Sequence, residues 1–179
     1  MDAKLPTGVW AMPNEAIVPY VVETTFEALY RAEYSGLVAV AAALTGDFRA
    51  SEDLVQDTMV KAFLRWTWLQ HFGRPGAWCH RVLTNACRDW GRRQRFETNW
   101  RNRCRAEDQL VDPPSVEAVA FWAAVRRLPK RPGLVVALFY AGDHTTAEVA
   151  SILGVPEGTV RSDLTRARLA LATELGVLP

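Results

Sequence analysis

A chain of 179 residues that is 49% apolar and 23% charged has the balance of a globular protein, with room for one ordinary domain or two small ones. Its net charge of +1 excludes a chain that is basic throughout, yet the charge is unevenly spread. Arg81 to Arg105 holds eight Arg against Asp89 and Glu97, whereas acids outnumber bases from Glu23 to Asp57, an asymmetry that points to two different partners, one of them polyanionic. No apolar run approaches the ~20 residues that span a bilayer, so no membrane contact is expected. Cys79, Cys87 and Cys104 are odd in number and unpatterned, which fits a reducing cytoplasm. No nucleophile-and-base pair, metal-ligand spacing or Gly-rich phosphate loop appears. No catalytic residue, metal or cofactor is expected, and the chain reads as a non-enzyme.

Residues 1–23, punctuated by Pro6, Pro13 and Pro19, show no clean period and read as a tail. From Thr24 to Glu97 nearly everything reads helical, with turns at Gly46-Asp47 and at Gly73-Arg74-Pro75-Gly76. Residues 50–68 form an amphipathic helix with Ser51 as the expected N-cap. Val55, Met59, Ala62 and Trp66 share one stripe, the core face. Opposite lie Asp53, Asp57, Val60 and Leu64, with Gln56 beside them. Two carboxylates framing two aliphatics suit a protein-docking surface better than a solvated face.

Residues 75–95 open on Pro75 at a favoured first-turn position. Cys79, Val82, Leu83, Ala86 and Trp90 gather on one side as core, the cysteines acting as small buried hydrophobes. Arg81, Asn85, Arg88 and Arg92 recur at helical spacing on another, three guanidinium groups and an amide suited to phosphates and a base contact. Trp68, His71, Phe72 and Trp78 cluster around the preceding loop, where aromatics beside cations give an unstacked base a platform. Residues 98–115, polar, basic and ending in Asp112-Pro113-Pro114-Ser115, read as a linker.

A second helical block runs from Val116 to Leu175, and its residues 145–171 carry the most specific pattern in the chain. Thr145 with Glu148 makes a capping box, and Gly154 supplies a turn to a second helix. Val149, Leu153, Val155, Val160 and Leu164 are spaced to seal the core of the hairpin. The second helix presents Glu157, Thr159, Arg161, Ser162, Thr165 and Arg166 outward near its start, as a recognition helix does in a major groove. The fold class is all-α: two small helical domains, 24–97 and 116–175, joined by a flexible linker, the C-terminal one with a helix-turn-helix.

These residues resemble a known family. Gly154-Val155-Pro156-Glu157-Gly158-Thr159-Val160-Arg161-Ser162, followed by Thr165-Arg166-Ala167-Arg168, looks like region 4 of the extracytoplasmic-function (ECF) sigma factors. Glu52-Asp53-Leu54-Val55-Gln56-Asp57-Thr58 resembles their region 2.2. Ala77-Trp78-Cys79-His80-Arg81 through Asn85 to Arg92-Arg93 is similar to their regions 2.3 and 2.4. The resemblance runs from about Phe26 to Leu175. It implies that Asp53, Gln56 and Asp57, with Val60 and Leu64 on the same face, dock on the beta-prime clamp helices of core RNA polymerase, with further contacts to the beta subunit. It also implies that the loop from Gln70 to Gly76, with His71, Arg74 and Trp78, captures a flipped base of the −10 element. Arg81, Asn85, Arg88 and Arg92 would line the adjacent strand. The helix beginning at Glu157 would read the −35 element as duplex through Glu157, Thr159, Arg161, Ser162, Thr165 and Arg166. The resemblance admits an anti-sigma factor as a further partner.

Two residues depart from the family pattern. Asp163 stands where Arg or another polar residue is common, and it is expected to repel phosphate there. His80 replaces a frequent aromatic of the base pocket. The competing reading is a helix-turn-helix regulator that never joins core polymerase. It leaves the acid–aliphatic face and the basic stripe unexplained.

Overall fold

The computed structural model describes residues 25–97 and 116–176; the tail at 1–23 and the linker at 98–115 lie outside the described residues. Every regular element among the described residues is helical, in keeping with the all-α expectation. Helix α1 (Phe26–Thr45) is capped by Thr25, whose hydroxyl accepts from the Ala28 N–H at 3.1 Å. Helix α2 (Phe48–Leu64) begins earlier than the sequence suggests. Asp47, not Ser51, is its N-cap, its carboxylate accepting from the Ala50 N–H at 3.0 Å. Ser51 is buried one turn in, donating to the Asp47 carbonyl at 2.6 Å. Two good capping residues stood four apart, and Gly46 immediately before Asp47 decided between them by ending α1 in the left-handed region at φ 73°. A single turn, α3 (Trp66–Leu69), leads to the long α4 (Pro75–Glu97).

These four helices close around Leu29, Leu37, Leu54, Val55, Met59, Leu69, Cys79, Leu83 and Cys87, each large side chain contributing about 1.5–3 kcal/mol by leaving water. Burial pushes the Cys79 and Cys87 thiols up to about 12, which suits their role as inert packing. The predicted stripe on α2 holds for Val55, Met59 and Ala62, while Trp66 lies half-buried beyond the end of the helix.

The second group comprises α5 (Val116–Arg127), α6 (Lys130–Val136), α7 (Thr146–Leu153) and α8 (Glu157–Glu174). Helix α6 runs on into a π-helical turn, Ala137–Ala141. Val125, Val135, Val136, Leu138, Val149, Ile152, Val160, Leu164 and Leu171 form its core, and Val40 of α1 is buried among them. Helix α1 therefore serves both cores, and the two groups pack directly on each other. That approach requires Gly142. A Cβ there would lie 2.8 Å from the Leu138 carbonyl oxygen and 2.9 Å from Val40 Cγ2.

Candidate nucleic-acid and docking faces

The outer face of α2 is as the sequence draws it: Asp53, Gln56, Asp57, Val60 and Leu64 are all exposed, Leu64 at 75%. Sequence reasoning missed Phe63, which is also exposed and meets Phe26 of α1 edge-on at 5.2 Å. The signal was there, since Phe63 follows Val60 by three residues and so shares its side of the helix. Tyr30, stacked on Tyr34 at 4.9 Å, extends the apolar area onto α1. Adjacent exposed side chains of this size, bordered by carboxylates, mark a surface that expects a partner.

On α4, Arg81, Asn85, Arg88 and Arg92 are exposed in a line. Arg88 donates to the Asn85 side-chain oxygen at 3.2 Å, and Arg92 pairs with Asp89, whose carboxyl the Arg92 hydrogen bond holds below its usual range. Arg81 differs from the other three. Its guanidinium lies against the backbone of Gly154 in the helix-turn-helix, where any Cβ would collide with it. Before α4, Trp68 and Phe72 form an exposed tilted pair at 4.8 Å, with His71 and Arg74 exposed beside them. Trp78 is drawn partly into the first core.

His80 does not face this strip. It is 1% exposed, with Nε2 lying 3.2 Å from Glu33 Oε2 on α1 and 3.1 Å from His144 Nε2 in the loop before α7, while its Nδ1 has no partner. His80 therefore takes no part in the strip, and its replacing a frequent aromatic there reflects burial: α4 is covered by α7 as well as by α1 and α2. One helix of the sequence cannot reveal that second cover, so Glu33 and His144 carried no signal.

The helix-turn-helix forms as the pattern requires. Thr145 and Glu148 make a reciprocal capping box, with the Thr145 N–H donating to Glu148 at 2.9 Å. Gly154 takes φ 67°, closed to ordinary side chains. Val149, Val160 and Leu164 are buried, and Leu153 and Val155 half-buried. On α8, Arg161, Ser162, Thr165 and Arg166 are exposed, and Glu157 and Thr159 intermediate. Glu157 accepts from the Thr146 hydroxyl at 2.6 Å and from Arg161 Nη2 at 2.7 Å, two bonds that lower its pKa and hold the Arg161 side chain along the helix. Asp163 overturns the expectation that it repels phosphate. It is 2% exposed, facing α6, where it accepts from Arg131 Nε at 2.6 Å, and it also accepts from Arg166 Nη2 at 2.8 Å. Its spacing from Val160, Leu164 and Ala167 already placed it on the buried side.

Two family profiles divide the chain along these lines. Residues 29–97 match Sigma-70 region 2, and residues 118–171 match Sigma-70, region 4. The ECF RNA polymerase sigma factor SigM of Mycobacterium tuberculosis is 33% identical over 158 residues, 86% of this chain and 78% of SigM. The chain belongs to the ECF sigma factors. SigL of the same organism is 33% identical over 167 residues, covering 84% of this chain and 92% of SigL. The sigma factor RpoE of Bartonella quintana, solved in complex with the anti-sigma factor NepR, shares the fold with TM-score 0.68 at 24% identity, over 87% of this chain and 99% of that one. As a sigma factor, this chain directs RNA polymerase to promoters, and the exposed faces of α2, α4 and α8 are its candidate working surfaces.

Proposed function

We propose that residues 24–97 act as one domain that docks on the beta-prime clamp helices of core polymerase through Asp53, Gln56, Asp57, Val60 and Leu64, with Phe63 added at the edge nearest α1. The observation that carries this is the exposed Val60–Phe63–Leu64 strip following Asp53 and Asp57 along the outer face of α2, which a free-standing regulator has no use for. In the same domain, His71, Arg74 and Trp78, beside the Trp68–Phe72 pair, form the platform for an unstacked −10 base. Arg81, Asn85, Arg88 and Arg92 hold the adjacent strand through its phosphates. Residues 116–175 form the second domain, whose α8 enters the −35 major groove with Arg161, Ser162 and Thr165 toward base edges and Glu157, Thr159 and Arg166 at the flanks. The linker 98–115 joins the two.

The protein works in the cytoplasm and catalyses no reaction of its own; an anti-sigma factor is a natural further partner. The deciding experiment is binding to purified core polymerase in the absence of DNA. A sigma factor of this design forms the holoenzyme and then initiates on a genomic promoter library. Binding to promoter duplex without any affinity for core polymerase would favour the regulator instead.

A further inference from the structure

Among the described residues, Asp163 is the one buried acid in the second core, and two arginines converge on it. A carboxylate so deeply covered persists in a folded chain only if its charge is partnered. One arginine would suffice, yet Arg131 from the start of α6 and Arg166 from α8 both bind it, one on each oxygen. The site therefore retains a net positive charge. Both guanidinium groups stay reachable, with side chains 51% and 68% exposed. Arg131 spends only its Nε on Asp163, leaving both terminal nitrogens without a bond among the described residues. Arg166 runs back along α8, its Nε donating to the Ser162 carbonyl at 3.4 Å, so its head lies over the half of the helix that exposes Arg161, Ser162 and Thr165. A recess lined by Pro129, Arg131, Pro132, Arg166 and Ala170 opens beside the pair.

From this geometry we propose that Asp163 is a positioning residue that locks Arg131 and Arg166 into a two-armed phosphate grip beside the −35 groove, which makes Arg131 a DNA contact. The physical gain is preorganisation. A free arginine loses rotamer freedom when it meets a phosphate, whereas these two have already lost it to Asp163. Phosphate contacts of this kind fix the register of the recognition helix without reading sequence. The inference rests on the reading of α8 as the −35 helix.

The test uses holoenzyme assembled from the full chain, on a labelled duplex carrying a promoter that the wild-type holoenzyme selects from a genomic library. Affinity is measured against salt concentration and against single base changes in the −35 element. Each phosphate contact contributes about 0.9 to the slope of log affinity against log salt. Asp163→Asn and Arg131→Ala are each expected to flatten the slope by about that amount or more while leaving base preference unchanged. In an Arg131→Ala, Arg166→Ala background, Asp163→Asn is expected to add nothing. Arg131→Lys keeps a cation on the buried carboxylate, and with it the fold, but has no second arm for phosphate, so it too flattens the slope. A wild-type slope for Arg131→Lys and Arg131→Ala, with Arg166→Ala still flattening it, overturns the grip and leaves Asp163 a brace between α6 and α8. If Arg161→Ala and Arg166→Ala are also without effect, it is the −35 reading of α8 that fails.

Discussion

Lowering the pH is expected to separate the two helical groups. The −10 and −35 elements lie about 25 base pairs apart by their own numbering, about 85 Å at 3.4 Å per base pair. On the proposed assignment of the −10 element to the α4 face and the −35 element to α8, a form in which α4 packs on α7 cannot reach both, so the packed arrangement must open before promoter engagement is complete. At the centre of that packing, His144 stands Nε2 to Nε2 with His80, and desolvation, followed by His80, holds its imidazole below its ordinary 6.5. Glu148 on α7, Glu33 on α1 and neighbouring Asp143 pull the other way and are outweighed; Arg74, just before α4, faces Glu148. The packed form thus binds fewer protons than the separated form between the lowered pKa and 6.5. Packing is at full strength above that window and weakens as pH falls through it, by at most about 1.4 kcal/mol, or tenfold in the open-to-packed ratio, per pH unit for one proton. Spin labels at Lys61→Cys and Thr173→Cys, both exposed, in a Cys104→Ser background report the separation, since Cys79 and Cys87 are buried. Between pH 8 and 5.5 the long-distance population should grow, and His144→Ala should flatten the response. An unchanged distance distribution across that range, or an undiminished response in His144→Ala, refutes the reasoning.

Gly142→Ala places a methyl group against Val40 and the Leu138 carbonyl and is expected to weaken the packing by about 1–3 kcal/mol, read by the same labels at pH 8. Asp53→Ala with Asp57→Ala should lower affinity for core polymerase by about 2 kcal/mol while the thermal midpoint barely moves; an undiminished pull-down sinks the docking face. Arg88→Ala with Arg92→Ala should impair promoter opening more than initial duplex binding, and a pre-melted template should restore initiation. Arg161→Ala should lose about 1–3 kcal/mol at one −35 base pair and relax preference there. A uniform loss across all duplexes would make it a backbone contact.

Much of this was legible in the sequence because helical periodicity reports what lies on each side of a single helix. The outer face of α2, the capping box at Thr145, the turn at Gly154 and the exposed side of α8 all follow from spacing and local stereochemistry. What periodicity does not report is which other element lies opposite. Asp163 shared the buried side of α8 with Val160 and Leu164, but its partner Arg131 is 32 residues away on α6. Without that partner, an acid on a helix expected to read DNA looks like repulsion. The burial of His80 was hidden for the same reason, since its neighbours Glu33 and His144 come from α1 and from the loop after the π-helical turn.

Helix α4 joins these two levels, because one helix carries both the cationic strip and the contact with α7. Its Cys79, Leu83 and Cys87 side is sealed within the first core, so loosening the contact with α7 leaves that core closed. Arg81 and His80, near the start of the helix, are engaged with the helix-turn-helix, whereas Arg88 and Arg92, two and three turns further on, remain exposed. The packed form therefore still offers cations to a DNA backbone, a long-range attraction that needs no fixed pose. On the proposed reading, placing Arg81 on the −10 strand needs it released from Gly154. The order that follows is electrostatic encounter first and separation second, so a variant that weakens packing should speed promoter opening without raising the affinity of the first, salt-sensitive complex.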